Sequence, residues 1–220
     1  MKAGRDNGDA ERVTKVYEAR RPLFKELASR LEEHTRLLLE GTDHIDRVYF
    51  RAKDTRSFVK KSLAVDETGQ RKYAYPEEDI EDQVAGRVLV FFRRDIEIVG
   101  NVLNGAFNRA EQLRKAPKAH DAFAYESEHF VFIIPPHVTP SGWDDLVGRP
   151  TTFEMQVRTL FMHAWAEPEH DISYKAEMPL TPDEKRKLAW AASSAWGGDA
   201  IFEQVLDSLA ERAKNQGDAE

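Results

Sequence analysis

The sequence predicts an α/β (α+β) fold: a mixed β-sheet of about five strands flanked by helices, with further helices at both chain ends. Three observations lead there. Val84 to Phe92 is a near-continuous apolar run, the mark of a strand covered on both faces. His129 to Ile134 is a second such run, stopped by Pro135-Pro136. Around them apolar residues recur at helical spacing, and strands alternating with helices make a layered sheet.

Each element has its own signal. Residues 1–10 are polar and are expected to be disordered. A helix from about Glu11 to Glu40 carries Val13, Val16, Tyr17, Leu23, Phe24, Leu27, Leu31 and Leu38 at roughly helical spacing, and Gly41 ends it. Val48-Tyr49-Phe50 reads as a short strand leading into Arg51-Ala52-Lys53. Residues 54–63 read as helix, and 64–75 as a loop or hairpin turning at Thr68-Gly69. Asp95 is expected to cap a helix through Ile96, Val99, Leu103 and Phe107. From Phe153 to Thr159 the residues alternate, so Phe153, Met155 and Val157 pack one way while Glu154, Gln156 and Arg158 face the other. A helix follows from about Leu160. Thr181-Pro182-Asp183-Glu184 is a capping box with proline at the first helical position. The helix it opens is expected to run to about Trp196 and to break at Gly197-Gly198, with a last helix starting at Asp199. Trp190, Trp196, Phe202 and Leu206 would serve as core, or pack on another subunit. A single domain over 11–213 results, with a disordered tail over 214–220.

Composition narrows the function classes. The 32 basic and 39 acidic residues leave a net charge of −7, which argues against a general nucleic-acid coat. Net charge does not forbid a local basic funnel, for which Arg20-Arg21, Lys60-Lys61, Arg71-Lys72 and Arg93-Arg94 are the material. The chain has no cysteine, which removes disulfides, thiolate metal sites and cysteine nucleophiles. No apolar run approaches the roughly 20 residues that span a bilayer, and MKAGRDNGDAERV has no apolar segment of a secretion signal. A cytoplasmic protein without a membrane partner is the simplest fit.

Four groups of residues could carry chemistry. Arg51-x-Lys53, Ser57 and Lys61 gather cations and a hydroxyl just after a strand, able to grip a polyphosphate or simply to form a solvated basic face. Asp82 precedes the first buried strand, with Arg87 five residues on. It suits Mg²⁺, which takes one or two protein carboxylates, although Glu77, Glu78, Asp79 and Glu81 also allow an ordinary acidic loop. Tyr125-x-Ser127-x-His129 places three side chains on one strand face, as a stacking surface for a base or as a half-buried strand with a satisfied histidine. The Glu154 strand is followed by Met162-His163-Ala164-Trp165-Ala166, Glu169-His170-Asp171 and Tyr174-Lys175. His170-Asp171 alone is too few ligands for a metal hydrolase and is better read as capping or packing.

In this order the blocks resemble the synthetase domain of the RelA/SpoT family. RAKDTRSFVKK meets the family's Arg-x-Lys, Ser, Lys. Asp82 to Arg87 meets its Asp-x4-Arg strand opening, with the glycine displaced to Gly86. AYESEH meets its Gly-Tyr-x-Ser-x-His, with Ala124 for glycine. EMQVRT and HAWAEPEHDISYK meet its Glu-x-Gln-x-Arg-Thr and the Trp-Ala, Glu-His and Tyr-Lys that follow. The resemblance covers about residues 13–210 and implies a nucleotidyltransferase-like fold. It also implies a transferase that moves the β,γ-diphosphate of ATP to the 3′-hydroxyl of GDP or GTP. The products would be (p)ppGpp-type alarmones of the stringent response.

Carried over by position, the resemblance implies that Arg51 and Arg87 sandwich adenine while Lys53, Ser57 and Lys61 hold phosphates. Asp82 and Glu154 would bind Mg²⁺, Glu154 also drawing the proton from the attacking hydroxyl. Tyr125 would stack on the acceptor base, with His129, Gln156 and Arg158 shaping that side. Synthetases acting on GDP or GTP usually carry a lysine four residues before the tyrosine, Asn-Gly just before it and often an arginine after it. This chain has Asp121, Phe123-Ala124 and Glu126 there, each charge reversal exchanging attraction for repulsion of order ~1 kcal/mol. Toxic relatives modify the 3′ end of tRNA, which brings no 5′ polyphosphate, and some resemble the Phe-Ala-Tyr-x-Ser-x-His-Phe form seen here. A tRNA 3′ end as acceptor and an antitoxin protein are the partners this second reading admits, and a homo-oligomer is open under either reading. A silent nucleotide-binding module is a third.

Overall fold

The computed structural model describes residues 2–115, 123, 127–175 and 178–217. A long helix, α1 (Lys2–Leu38), leads into β1 (Ile45–Ala52), α2 (Thr55–Ser62) and a single turn, α3 (Pro76–Asp79). After a short 3₁₀ turn over Glu81–Gln83 come β2 (Val84–Val90) and α4 (Arg93–Ala106), then β3 (Arg109–Lys115) and β4 (Ser127–Ile133). β5 (Thr152–Thr159), α5 (Leu160–Lys175) and α6 (Pro182–Gly217) complete the order. The five strands form one mixed sheet in the order β1-β2-β5-β4-β3, with β2 and β5 parallel at its centre and the outer pairings antiparallel.

Alternation divides the sheet into two unlike faces. Val48 and Phe50 of β1, Val84 and Val88 of β2, Phe130 and Phe132 of β4, and Phe153, Met155 and Val157 of β5 all turn to α1 and α4 and form the core. Phe107 joins this layer, its ring centroid 5.2 Å from those of both Phe132 and Phe153. α1 contributes Val13, Tyr17, Phe24, Leu27, Ala28 and Leu31, a stripe at intervals of three, four and seven residues. Tyr17 stacks on Phe58 of α2 at 4.0 Å and donates its hydroxyl to the Lys53 carbonyl at 3.0 Å. Burial pushes that phenol's pKa far up, so it stays a donor. The opposite face is polar and holds the site.

Several expectations are corrected. Residues 2–10, expected to be disordered, are the first turns of α1, and α6 runs on to Gly217 through the start of the expected tail. Asp95 is not the cap of α4. It is the third helical residue, and its carboxylate accepts the Phe92 amide at 3.2 Å. Gly197-Gly198 does not break α6, because glycine weakens a helix only modestly and the second one serves packing. A Cβ on Gly198 would lie 2.8 Å from the Phe161 ring of α5. Trp190, Trp196 and Phe202 are exposed rather than core. α6 buries its small face instead, through Ala192, Ala195 and Asp199. β3 was not foreseen, since RAEQLRK has no apolar alternation and lies at the sheet edge. The 64–75 hairpin is present as a single Val65–Arg71 bridge. Its turn is held by Asp66, whose carboxylate accepts the Thr68 and Gln70 amides, with Gly69 at φ +80°.

Candidate active site

The site forms where three strands and two local turns meet. Register sets Arg51 beside Ala85, Tyr49 beside Arg87, Ala85 beside Glu154 and Arg87 beside Gln156. These residues share the polar face, and Tyr49, Arg51, Asp82, Ala85, Arg87, Glu154 and Gln156 line one small crevice. Asp82 reaches it from the 3₁₀ turn, which Gln83 anchors. The buried Gln83 amide donates to the carbonyls of Glu77 at 2.8 Å and Ile80 at 3.0 Å, and the Gln83 carbonyl accepts the Lys53 amide at 2.8 Å. That last bond brings Lys53 alongside Asp82.

Both Asp82 oxygens are engaged, one by Lys53 Nζ at 2.5 Å and the other by Lys61 Nζ at 3.0 Å. Lys61 is placed by α2, whose first turn is capped by Asp54 accepting the Arg56 and Ser57 amides. Ser57 lies one turn earlier than Lys61, on the same helix side. Burial draws the Lys61 ammonium's pKa down, but the Asp82 carboxylate outweighs it, with Tyr73 and Glu154 adding, so the net shift is upward. The lysine is therefore a firm cation next to the acid pair.

A second network runs across the same face. Arg87 Nη1 donates to Tyr49 Oη at 2.8 Å and to Glu167 Oε1 at 2.6 Å, and Arg87 Nε donates to Gln156 Oε1 at 3.1 Å. Gln156 Nε2 donates in turn to Glu154 Oε1 at 2.5 Å, and His129 Nδ1 lies 3.1 Å from the same oxygen. Arg158 is buried farther along β5 and donates to Glu167 Oε1 at 2.7 Å. Hydrogen bonds thus link Tyr49, Arg87, Gln156 and Glu154 in one chain that ends beside His129, each side chain held in place by its neighbours.

Of the residues singled out from sequence, Arg51, Asp82, Arg87, Glu154 and Gln156 converge on the crevice, and Lys53 and Lys61 join through Asp82. His129 joins through Glu154, and Arg158 lies on the same face but buried. Tyr125 lies outside the described residues. Sequence reading missed Glu167 and Tyr49. Tyr49 was legible from the alternation Arg47, Tyr49, Arg51 in β1, and Glu167 only from its place in HAWAEPEH, since no spacing rule announces a helix residue that reaches back to two strands.

The donor set suits a hard cation. Asp82 and Glu154 are hard oxygen ligands in one crevice, and among the described residues no cluster of three or more His, Asp or Glu side chains is posed for a metal. Two carboxylates match Mg²⁺, which keeps several waters and leans on few protein ligands. A larger cavity, about 800 Å³, opens between α4, β3, β4 and α6. Its four arginines are mixed with as many acids, Glu97, Glu128, Asp199 and Glu203, and none of the crevice residues lines it. The acid pair and the cations meet at the small crevice.

Among the described residues, no helix is long and apolar enough to cross a membrane. The GTP pyrophosphokinase YjbM of Bacillus subtilis (strain 168) is 29% identical over 198 residues, 87% of each chain. The fold is shared with a GTP pyrophosphokinase family protein from Streptococcus pneumoniae at TM-score 0.70, 23% identity, over 89% of this chain and 95% of that one. It is shared as well with small alarmone synthetase 1 from Bacillus subtilis bound to its product pppGpp, at TM-score 0.65, 24% identity, over 90% and 97%. Residues 50–179 match the model of the region found in RelA / SpoT proteins, and as that stretch is more than half of the chain, the protein belongs to the RelA/SpoT family.

Proposed function

We propose that this chain is an ATP-dependent diphosphokinase that transfers the β,γ-diphosphate of ATP to the 3′-hydroxyl of GDP or GTP. One observation carries the reading: Asp82 and Glu154 share a crevice ringed by Arg51, Arg87, Lys53 and Lys61. Phosphoryl transfer asks little of a protein beyond positioning and charge neutralisation, and this arrangement offers both. Family membership and the pppGpp held by a relative of the same fold support guanosine nucleotides as acceptors.

The acceptor's 3′-oxygen attacks the β-phosphorus, the bond from the β-phosphorus to the α–β bridging oxygen breaks, and AMP leaves with that oxygen. Glu154 takes the hydroxyl proton. Arg51 and Arg87 clamp adenine, and Lys53, Ser57 and Lys61 hold phosphates. His129, Gln156 and Arg158 shape the acceptor side, with Tyr125 as its stacking surface. Asp82 and Glu154 would hold Mg²⁺, which when bound supplies neutralisation of the phosphate oxygens. Lys53 and Lys61, which pair with Asp82, would then be available to the nucleotide's phosphates.

Transfer to a tRNA 3′ end is the second reading, favoured by Asp121, Phe123-Ala124 and Glu126 where GDP- and GTP-using relatives carry other residues. One member of three of the candidate basic pairs is turned inward, which weakens the case for a tRNA-binding patch. Arg20 donates to the Val147 and Gly148 carbonyls, Arg71 to the Leu63 carbonyl, and Arg94 to Glu203 and Asp207. Those cations are engaged within the chain.

ATP labelled in its γ-phosphate, incubated with Mg²⁺ and separately with GDP, GTP, AMP or total tRNA, tests the proposal. Label is expected on GDP or GTP. Label on tRNA alone selects the second reading, and label on no acceptor leaves a nucleotide-binding module.

A further inference from the structure

Glu167 has no role in any of the assignments above, yet it is where the two halves of the site meet. A single oxygen, Oε1, accepts from Arg87 Nη1 at 2.6 Å and Arg158 Nη2 at 2.7 Å. Arg87 lies on β2, Arg158 on β5 and Glu167 on α5, so one carboxylate ties the parallel strand pair to a helix. Arg158 is only 2% exposed. A guanidinium at that depth needs a counter-charge, since removing one partner of a buried pair leaves the other charge uncompensated. Arg87 is better hydrated and has two further anchors, Tyr49 Oη and Gln156 Oε1.

We propose that Glu167 is a positioning residue that couples the donor and acceptor nucleotide sites by holding Arg87 and Arg158 through one shared oxygen. The inference rests on the proposed reading only in assigning Arg87 to the ATP side and Arg158 to the acceptor side. The physical reason is competition removed by order. Two like charges converge on one acceptor, so each arginine's position depends on where the other holds the carboxylate. A nucleotide that fixes one arginine fixes Glu167, and the second nucleotide then meets an arginine already aimed. That is positive coupling, and it is reciprocal. Without the negative charge the guanidiniums repel, and Arg87, the one with access to solvent, turns away.

The test is a binding measurement and needs no turnover. Isothermal titration with a non-hydrolysable ATP analogue and Mg²⁺ is run with and without saturating GDP on the wild type, Glu167→Gln, Glu167→Asp and Tyr49→Phe. GDP is expected to tighten analogue binding to the wild type about fivefold or more, the low end of ordinary coupling. Glu167→Gln should bind the analogue more weakly and show no GDP effect. Glu167→Asp, which keeps the charge, should recover part of it. Tyr49→Phe removes one of the two other anchors of Arg87 and leaves Gln156 and Glu167 in place, so it should weaken the analogue while keeping the coupling. Wild-type coupling in Glu167→Gln overturns the proposal, as does a wild type with no coupling. If Glu167→Gln does not fold, unchanged coupling in Tyr49→Phe with reduced coupling in Glu167→Asp supports it, and any other pattern overturns it. A wild type that binds and couples but labels no acceptor refutes the transferase reading while leaving the role of Glu167 standing.

Discussion

Replacing Gly86 by alanine probes how the site is supported from behind. Gly86 lies on the core face of β2, opposite Phe50 of β1 and Met155 of β5. A Cβ there would stand 2.5 Å from Phe50 Cζ, 2.6 Å from Cε1 and 2.8 Å from Cε2. Carbon atoms settle at about 3.5–4.0 Å, so the ring or the strand must give by roughly 1 Å. The ring has little room, with Phe153 behind it at a centroid distance of 5.9 Å. Overpacking of this kind costs about 1–3 kcal/mol, against which alanine regains about 0.5–1 kcal/mol of backbone entropy. The net loss of ~1–2 kcal/mol is worth about 2–8 °C in Tm for a chain of this size. Arg51 and Arg87 are the immediate neighbours of Phe50 and Gly86 on the crevice face, so the same shift moves the two arginines apart. Thermal unfolding followed by circular dichroism reads the stability, and titration with an ATP analogue reads the arginines, with severalfold weaker binding expected. Phe50→Leu in the Gly86→Ala background should recover part of both losses. An unchanged Tm in Gly86→Ala, or a double-mutant cycle showing no coupling between positions 50 and 86, refutes the contact.

Other outcomes follow from the same coordinates. Asp82→Ala should cost at least about 10²–10³ in turnover, as for loss of a preorganised electrostatic partner; normal turnover in the labelling assay removes Asp82 from the site. Gly197→Ala should stabilise by about 0.5–1 kcal/mol, having nothing within 4 Å of the added carbon, whereas Gly198→Ala should destabilise because it meets Phe161; urea unfolding giving both the same sign contradicts the α5–α6 packing. Burial draws the Glu167 pKa upward, but the Arg158 hydrogen bond and the charges of Arg87 and Arg158 outweigh it, leaving the carboxyl below the ordinary glutamate value. A folded-state pKa below the unfolded one means stability that is complete above about pH 5 and lost as pH falls through the folded value. The Tm gap between wild type and Glu167→Gln should therefore narrow on acidification from about pH 7 to about pH 4, and a constant gap excludes the ionised contact.

How much could be read from sequence depended on whether a residue's role was local. β2, β4 and β5 were legible because apolar runs and alternation state which face is buried, and that same alternation put Glu154, Gln156 and Arg158 on one wall. β3 was invisible because an edge strand facing solvent needs no apolar pattern; its Leu113 is half exposed. The glycine pair misled because glycine signals a helix break and a close helix approach with the same letter, and only the position of Phe161 decides. Asp95 is legible as a capping group but lies three residues beyond the cap position, Phe92, since its carboxylate serves the helix from the third position. Asp82 and the two lysines were each identified, but not that they pair, because that depends on Gln83 folding the turn back onto Lys53. Glu167 was missed for the same reason at longer range.

The parallel pairing of β2 with β5 constrains how this protein can vary. Their neighbours in register, Ala85 with Glu154 and Arg87 with Gln156, are 69 positions apart along the chain, with α4 and the β3–β4 ribbon between them. No tight turn fixes that alignment; only the match of apolar side to core does. Length changes in the intervening segment should be absorbed, whereas deleting one residue inside either strand would rotate Arg87 or Glu154 into the phenylalanine layer and carry valine or methionine to the crevice.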